Sequence, residues 1–102
     1  MKIRRDTKTL RERGARLIWT REALDVGQAE LAKFLEISPQ RMNNYEAGLR
    51  PFDVDLALTM TKRWKLSLEW LYDGDDSRLP KDIAERIAER RKVHERAKGK
   101  VK

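Results

Sequence analysis

The sequence predicts an all-α fold, in which a compact five-helix domain is followed by one additional C-terminal helix. Three observations support this prediction. Apolar residues recur at helical spacing, residues that start or stop helices divide the chain into short segments, and 102 residues suffice for one domain with its own core. We divide the chain into a basic N-terminal arm (1–13), a central domain (14–74) and a basic C-terminal helix with its tail (75–102).

Helix 1 is predicted from an apolar period. Residues 2–9 are polar and basic and lack such a period, so we expect a flexible arm there. The period occupies the segment from Leu10 to Leu24, and Thr7 or Thr9 is expected to cap this helix. Asp25-Val26-Gly27 then ends the helix, because Asp tolerates the left-handed conformation and Gly serves as a cap.

The next two helices are short. Helix 2 spans about Gln28 to Leu35, and its expected buried residues are Ala29, Leu31, Ala32 and Leu35. Ser38 followed by Pro39 starts helix 3, because the hydroxyl can accept an unpaired amide and proline has no amide to satisfy at the first helical position. Helix 3 ends near Ala47-Gly48, where glycine permits the terminating turn.

Helix 3 has a polar face that packing does not explain. Only Met42 and Tyr45, at an i, i+3 spacing, look buried. The face is either a plain solvated surface or a row of side chains for the major groove of DNA, where Gln and Asn can pair with adenine and Arg with guanine. The outward residues are Gln40, Arg41, Asn43 and Asn44.

Helices 4 and 5 are predicted from their caps. Asp53 caps helix 4, whose apolar residues are Val54, Leu56, Ala57, Met60 and Trp64. Ser67 caps a short helix 5 from Leu68 to Tyr72, which stops at Asp73-Gly74.

The final helix, about Lys81 to Ala97, follows Pro80 and has a thin apolar stripe. Ile83 and Ile87 are expected either to pack back onto helix 5, to self-associate across a dimer, or to bind a separate protein partner at 80–97. The residues from Gly99 onward are expected to fray.

The net charge of +7 is concentrated at the two ends. Residues 1–21 carry +6 and residues 81–102 carry +5, whereas 22–50 and 51–80 each carry −2. Basic ends are either solvated tails or a source of sequence-independent attraction to phosphate. The middle would then supply discrimination between sequences.

Composition argues against several kinds of chemistry. The chain has no cysteine and a single histidine, His94, so we expect no disulfide, no metal site and no cofactor. Acidic pairs such as Glu85 with Glu89 lie in segments that read as solvated, and we expect no enzymatic activity. No apolar run is long enough for a signal or a membrane span, so we expect a cytoplasmic protein.

Residues 14–74 resemble the lambda repressor-like helix-turn-helix family, which contains the phage Cro and repressor proteins and the XRE-type bacterial regulators. Several motifs occur in the family's order and spacing, so the resemblance is specific. The segments that carry it are Arg16-Leu17, Arg21, Gln28-Ala29-Glu30-Leu31-Ala32, Ile37-Ser38, Tyr45-Glu46-Ala47-Gly48-Leu49-Arg50-Pro51 and Leu66 to Gly74. The resemblance implies a bacterial or phage-encoded protein with a five-helix fold.

The resemblance also implies roles for individual residues. Gln28 matches a position that clamps a DNA phosphate and buttresses helix 3, and Arg21 and Glu46 match an ion pair that braces helix 1 against helix 3. The implied base-reading residues are Gln40, Arg41 and Asn44, with Arg41 either reading or anchoring. The implied phosphate-binding residues are Gln28, Ser38, Asn43 and Arg50, to which we add Lys2, Arg4 and Arg5 of the arm.

The resulting functional hypothesis is a transcriptional regulator, as a repressor, that binds a palindromic operator in double-stranded DNA as a homodimer. Trp19 and Phe52, if exposed, are candidate dimer contacts. The alternative is an antitoxin-type interaction protein whose final helix binds a protein partner. RNA is the nearest nucleic-acid rival, but its stacking platforms need exposed aromatics, and those of this chain are expected mostly to be buried: Trp19, Phe34, Tyr45, Trp64 and Trp70.

Overall fold

The structure, a computed structural model, describes the backbone of residues 6–100 and the side chains of residues 6–99. No strand occurs in that part of the chain, so the predicted all-α class is confirmed. The elements are α1 (Thr7–Ala23), α2 (Gln28–Phe34), α3 (Pro39–Glu46), α4 (Val54–Trp64), a π-helical turn (Glu69–Asp73) and α5 (Lys81–Lys100).

Helix α1 begins earlier than predicted. The carboxylate of Asp6 accepts the Lys8 amide at 3.0 Å and caps the helix, so neither Thr7 nor Thr9 is the cap. Residues 7–9 were expected in a flexible arm and are helical instead. The prediction was wrong because it placed the start of the helix at the first apolar residue. A carboxylate cap can start a helix before any apolar residue occurs. Asp25 takes the left-handed conformation expected of it, with φ of 58°.

The hydrophobic core is shared by all the helices. Ala29 was expected in it but is exposed in the first turn of α2. Thr20 is fully buried, since its hydroxyl donates to the Arg16 carbonyl and accepts from the Trp70 indole nitrogen at 2.8 Å. The buried apolar residues are Leu17, Ala23, Leu31, Ala32, Leu35, Met42, Tyr45, Phe52, Ala57, Met60, Leu66, Trp70, Leu71, Leu79 and Ile87.

The predicted fifth helix is present as a π-helical turn. The Ser67 hydroxyl accepts the Trp70 amide at 3.1 Å, and Gly74 ends the turn with φ of 78°. Trp70 and Leu71 are both buried, and the Trp70 indole reaches across the core to Thr20 in α1. The turn therefore ties the end of the central domain to the last turn of α1.

Helix α5 packs against α1 in the antiparallel direction. Arg86 pairs with Asp25 at 3.3 Å, and Glu22, one turn earlier, pairs with Arg90 at 3.1 Å and with His94 at 2.7 Å. Ile87 is 3% exposed and belongs to the core. In the structure α5 packs on α1, which was not among the partners considered for the apolar stripe. The helix also continues to Lys100, beyond the predicted end at Ala97, and Gly99 lies inside it.

Candidate nucleic-acid interface

Helix α3 is short and is fixed by its caps. The Ser38 hydroxyl accepts the Arg41 amide at 3.0 Å, and Pro39 occupies the first turn, as the sequence predicts. At the other end Gly48 adopts φ of 73°, a conformation that glycine takes without strain. These two signals are local, which explains why the sequence predicts both ends of the helix.

A second glycine sets the distance between α3 and α1. A Cβ atom at Gly14 would collide with the Glu46 carbonyl oxygen and lie 2.9 Å from that of Tyr45. A Cβ atom at Gly48 would lie 2.8 Å from the Cα atom of Arg11. The C-terminal end of α3 is therefore seated directly on the backbone of α1.

Glu46 is the polar centre of this junction. Its carboxylate is almost fully buried and forms a two-point ion pair with Arg21, with distances of 2.7 and 3.1 Å. The Gln28 amide donates to the same carboxylate at 2.9 Å, and Arg21 also donates to the Val26 carbonyl at 3.1 Å. The ion pair implied by the resemblance is thus present, and it connects α1, α2 and α3.

The exposed face of α3 carries a pair of amide side chains. Gln40 and Asn44 are one turn apart, and the Gln40 amide donates to the Asn44 side-chain oxygen at 3.0 Å. Met42 and Tyr45 are buried on the opposite side, as predicted. Asn43 is exposed beside them, 3.5 Å from the Gln28 amide. We call Gln40 and Asn44 the amide pair.

Arg41 lies on a different side of the helix from the amide pair. Its Nε atom donates to the Tyr45 hydroxyl at 2.7 Å, and a terminal nitrogen lies 3.9 Å from the Asp53 carboxylate. Together with Arg13 and Arg50, these residues line an open cleft of about 750 Å³ beside the start of α4. We call this the arginine cleft.

The described basic residues of the two ends meet along α1. Arg11 and Arg16 of α1 line a groove of about 630 Å³ with Arg91 and Lys98 of α5, and its acidic lining residues are Glu12, Asp73 and Glu95. Burial lowers the pKa of Arg16 from its ordinary value, and its guanidinium donates to the Tyr72 carbonyl at 3.0 Å. The antiparallel packing thus brings positive charge from both ends of the chain to the N-terminal half of α1.

The predicted DNA-contacting residues that the structure describes fall into three groups. Gln40, Asn44, Asn43 and Ser38 lie on or at the start of α3, and Arg41 and Arg50 line the arginine cleft. The Gln28 amide donates to the Glu46 carboxylate, and Glu46 lies one turn from Asn43 on α3. Lys2, Arg4 and Arg5 lie outside the described residues.

Sequence reasoning missed three residues that position this surface. Gly14 was overlooked because glycine inside a helix indicates only a lower helix propensity. Its position between helical residues can, however, signal a close approach of another backbone, here that of α3. Arg13 and the carboxylate of Asp53 were not connected with Arg41, because nothing local indicates that α1 and the start of α4 line the same cleft.

The structure bears on three expectations about aromatic residues. Phe52 is buried between Tyr45, whose ring it meets at 5.0 Å, and Tyr72, whose hydroxyl donates to its carbonyl. Trp19 is partly buried, with the Arg91 guanidinium 5.2 Å from its ring centre. The condition of exposure that was set for a dimer contact is therefore not met at Phe52 and is met only in part at Trp19. Phe34, expected to be buried, is 42% exposed at the end of α2 and packs against Trp64.

The described residues do not include a group of three or more His, Cys, Asp or Glu side chains arranged to hold a metal ion. None of the described helices combines the length and the apolar composition needed to cross a membrane.

The order and packing of α2 and α3, two helices joined by a four-residue turn with a polar face on the second, define a helix-turn-helix arrangement. Over 72 residues, 71% of this chain, the sequence is 35% identical to the HTH-type transcriptional regulator PrpR of Mycobacterium tuberculosis strain H37Rv. Over the same length it is 33% identical to the HTH-type transcriptional regulator RamB of that strain and of strain CDC 1551.

The chain spans only 15% of the length of each of these regulators. No protein-family model matches the chain. No solved structure matches it either.

Proposed function

We propose that this protein is a transcriptional regulator that binds double-stranded DNA by presenting α3 to the major groove. The observation that carries the proposal is the amide pair: Gln40, exposed, and Asn44, partly exposed, lie side by side on one face of α3, while Glu46 on the same helix is bound to Arg21 and Gln28. A rigid helix with exposed amides has little structural purpose of its own. Similarity to the regulators PrpR and RamB supports the same reading.

The chemistry of the amide pair suits adenine. Each carboxamide can present one N–H donor to N7 and its oxygen acceptor to the N6 amino group of adenine in the major groove. In the free protein the two amides satisfy part of each other's hydrogen-bonding capacity at 3.0 Å. Binding would exchange this exposed contact for contacts with bases, so the cost of releasing it is small.

The electrostatic arrangement suits the DNA backbone. Described basic residues line the arginine cleft beside α3 and the groove between α1 and α5. Phosphate contacts of this kind fix orientation and supply sequence-independent affinity, whereas base contacts supply discrimination. Ser38 and Asn43, exposed at the edge of α3, and Gln28 beside them are proposed phosphate contacts.

The proposed form on DNA is a homodimer that represses transcription from a palindromic operator. One helix of eight residues reads too few base pairs for useful specificity, so two copies related by a two-fold axis are needed. The half-sites would then lie about one helical turn apart.

The test is a selection of genomic fragments with the purified protein at near-physiological salt. Enrichment of an inverted repeat with half-sites about one helical turn apart supports a dimeric operator-binding regulator. Binding without enrichment of any sequence would contradict base reading by α3. A reporter gene placed behind the selected site then tests repression, which predicts lower expression when the protein is supplied.

A further inference from the structure

Among the predicted base-reading residues, Arg41 is the one whose side chain contacts both another residue of α3 and the residue that caps α4. Its Nε atom donates to the Tyr45 hydroxyl at 2.7 Å, and its guanidinium carbon lies 5.6 Å from the centre of the Tyr45 ring. A terminal nitrogen lies 3.9 Å from the Asp53 carboxylate at the start of α4. Even so, the Arg41 side chain is 47% exposed, so its remaining donors face solvent.

Helix geometry separates Arg41 from the amide pair. Residues four apart on an α-helix share a face, and neighbouring residues are rotated by about 100°. Gln40 and Asn44 form one stripe, and Arg41 and Tyr45 form another that turns toward α4. The guanidinium has a terminal nitrogen 3.9 Å from the Asp53 carboxylate, on the α4 side of this second stripe. Arg41 is therefore rotated by about 100° from Gln40, toward the arginine cleft.

The surroundings of Arg41 attract an anion. Three arginines, Arg13, Arg41 and Arg50, line the arginine cleft, and Asp53 is its one acidic lining residue. Arg13 is itself held in position, because it donates to the Tyr72 carbonyl at 3.0 Å and lies 5.2 Å from the Tyr72 ring centre. A cleft with this excess of guanidinium groups and a solvent-facing opening suits a phosphate group.

We infer that Arg41 anchors a phosphate of the DNA backbone and does not read a base. The Tyr45 hydroxyl holds the Arg41 side chain in position for this contact. The inference rests on the proposed function and assigns one side chain within it. Tyr45 is 4% exposed, so its hydroxyl is fixed by the core and holds Arg41 before DNA arrives. Pre-organisation lowers the entropy lost when a long side chain is immobilised on binding.

The experiment measures the affinity of Arg41→Gln and Tyr45→Phe for the selected duplex and for a random duplex of equal length, across a range of salt concentrations. Arg41→Gln should lose roughly ten-fold on both duplexes, and the slope of log K against log salt should fall by about 0.9, the value for one phosphate. Tyr45→Phe keeps the ring and removes the hydroxyl, so it should lose roughly two- to ten-fold, again equally on both.

Two controls separate positioning from folding. Tyr45→Phe introduced into the Arg41→Gln protein should cause no further loss, because the hydroxyl then has nothing to position; an equal loss in both backgrounds would overturn its role. Arg63→Gln removes an exposed arginine from the far end of α4, where it lies over Trp64, and should leave affinity and salt slope unchanged.

A chemical change in the DNA identifies the contact directly. Uncharged methylphosphonates are placed one at a time along each strand of the selected duplex. At one position per half-site the wild-type protein should lose roughly ten-fold while Arg41→Gln loses nothing further. If Arg41→Gln instead relaxes the preference for a guanine at a single base pair, Arg41 reads a base and the inference is wrong.

Failure of the inference is distinguishable from failure of the proposed function. A wild-type protein that selects no DNA sequence would contradict the proposed function itself. A protein that selects a sequence, loses discrimination in Asn44→Ala and keeps its full salt slope in Arg41→Gln would retain the function and contradict only the anchor.

Discussion

At the scale of single residues, the position of α3 depends on the absence of a side chain at Gly14. The Glu46 and Tyr45 carbonyl oxygens occupy the space that a Cβ atom would need. Those carbonyls belong to backbone that is already fixed by the Arg21–Glu46 ion pair, so they cannot move away independently. The small residue and the buried ion pair therefore act on the same junction between α1 and α3.

Gly14→Ala tests this junction. We expect it to lower the free energy of unfolding by about 1–3 kcal/mol in urea denaturation, because the added methyl group overpacks a backbone contact. Gly99→Ala is the matched control: nothing lies within 4 Å of its Cβ position in α5, so alanine should leave stability unchanged or raise it by up to about 1 kcal/mol. A Gly14→Ala protein as stable as the Gly99→Ala protein would contradict the close approach.

The roles of residues that depend on neighbouring residues in the chain were predictable from the sequence. The roles that depend on contacts with distant parts of the chain were not. Ser38-Pro39 and the left-handed Asp25 were predictable, because a cap or a turn depends on neighbouring residues alone. Burial of Thr20 was not, because it depends on the Trp70 indole 50 residues away. The contact between Arg41 and Asp53 likewise depends on how α3 and α4 meet.

At the scale of elements, α5 is an integral part of the domain. Its apolar stripe was too thin to identify a partner from the sequence, because the pattern shows which face is apolar but not what it packs against. In the structure the stripe packs on α1, with Ile87 in the core. Glu22 of α1 accepts a hydrogen bond from Arg90 and lies against His94. The residues that suggested a separate protein partner are thus engaged within the chain.

The joint between α1 and α5 should respond to acid. Burial raises the pKa of Glu22, but hydrogen bonds from His94 and Arg90 outweigh it and hold the pKa below the ordinary value of 4.5. Because the folded-state pKa is the lower one, the stabilisation is present above pH 4.5 and is lost as the pH falls through the folded-state value.

Glu22→Gln should therefore lower the free energy of unfolding at pH 7, by about 1 kcal/mol or less for this partly exposed group. The difference from wild type should shrink toward zero as the pH falls from 4.5 through the folded-state pKa, measured by chemical denaturation at each pH. Glu85→Gln removes an exposed carboxylate from α5 and should give a small difference that does not vary with pH. A pH-independent effect of Glu22→Gln would contradict the role of its ionised form.

At the scale of the whole molecule, the antiparallel packing of α5 on α1 joins the two basic ends of the sequence. The sequence showed that positive charge is concentrated at the two ends. It did not show that Arg11 and Lys98 line the same groove, because 87 positions separate them in the chain. The acidic middle of the sequence contains α3, so the proposed division between attraction at the ends and discrimination in the middle has a structural counterpart.

Neutralising this shared basic region should weaken binding to every sequence alike. We expect the double variant Arg11→Gln with Lys98→Gln to lose equal affinity on selected and random duplexes and to lower the salt slope by up to about 2, since each phosphate contact contributes about 0.9. Lys33→Gln with Lys62→Gln removes the same charge from the C-terminal ends of α2 and α4 and should change the slope much less. Equal slopes for the two double variants would contradict a localised contact.

The measurement that tests base reading by the amide pair most directly is selection from a random duplex pool with the wild-type protein and with Asn44→Ala in parallel. We predict an inverted-repeat motif for the wild type and the same motif for Asn44→Ala, with the preference lost at one base pair in each half-site, because one side chain reads one base. An unchanged motif in Asn44→Ala, or no motif for either protein, would contradict the account.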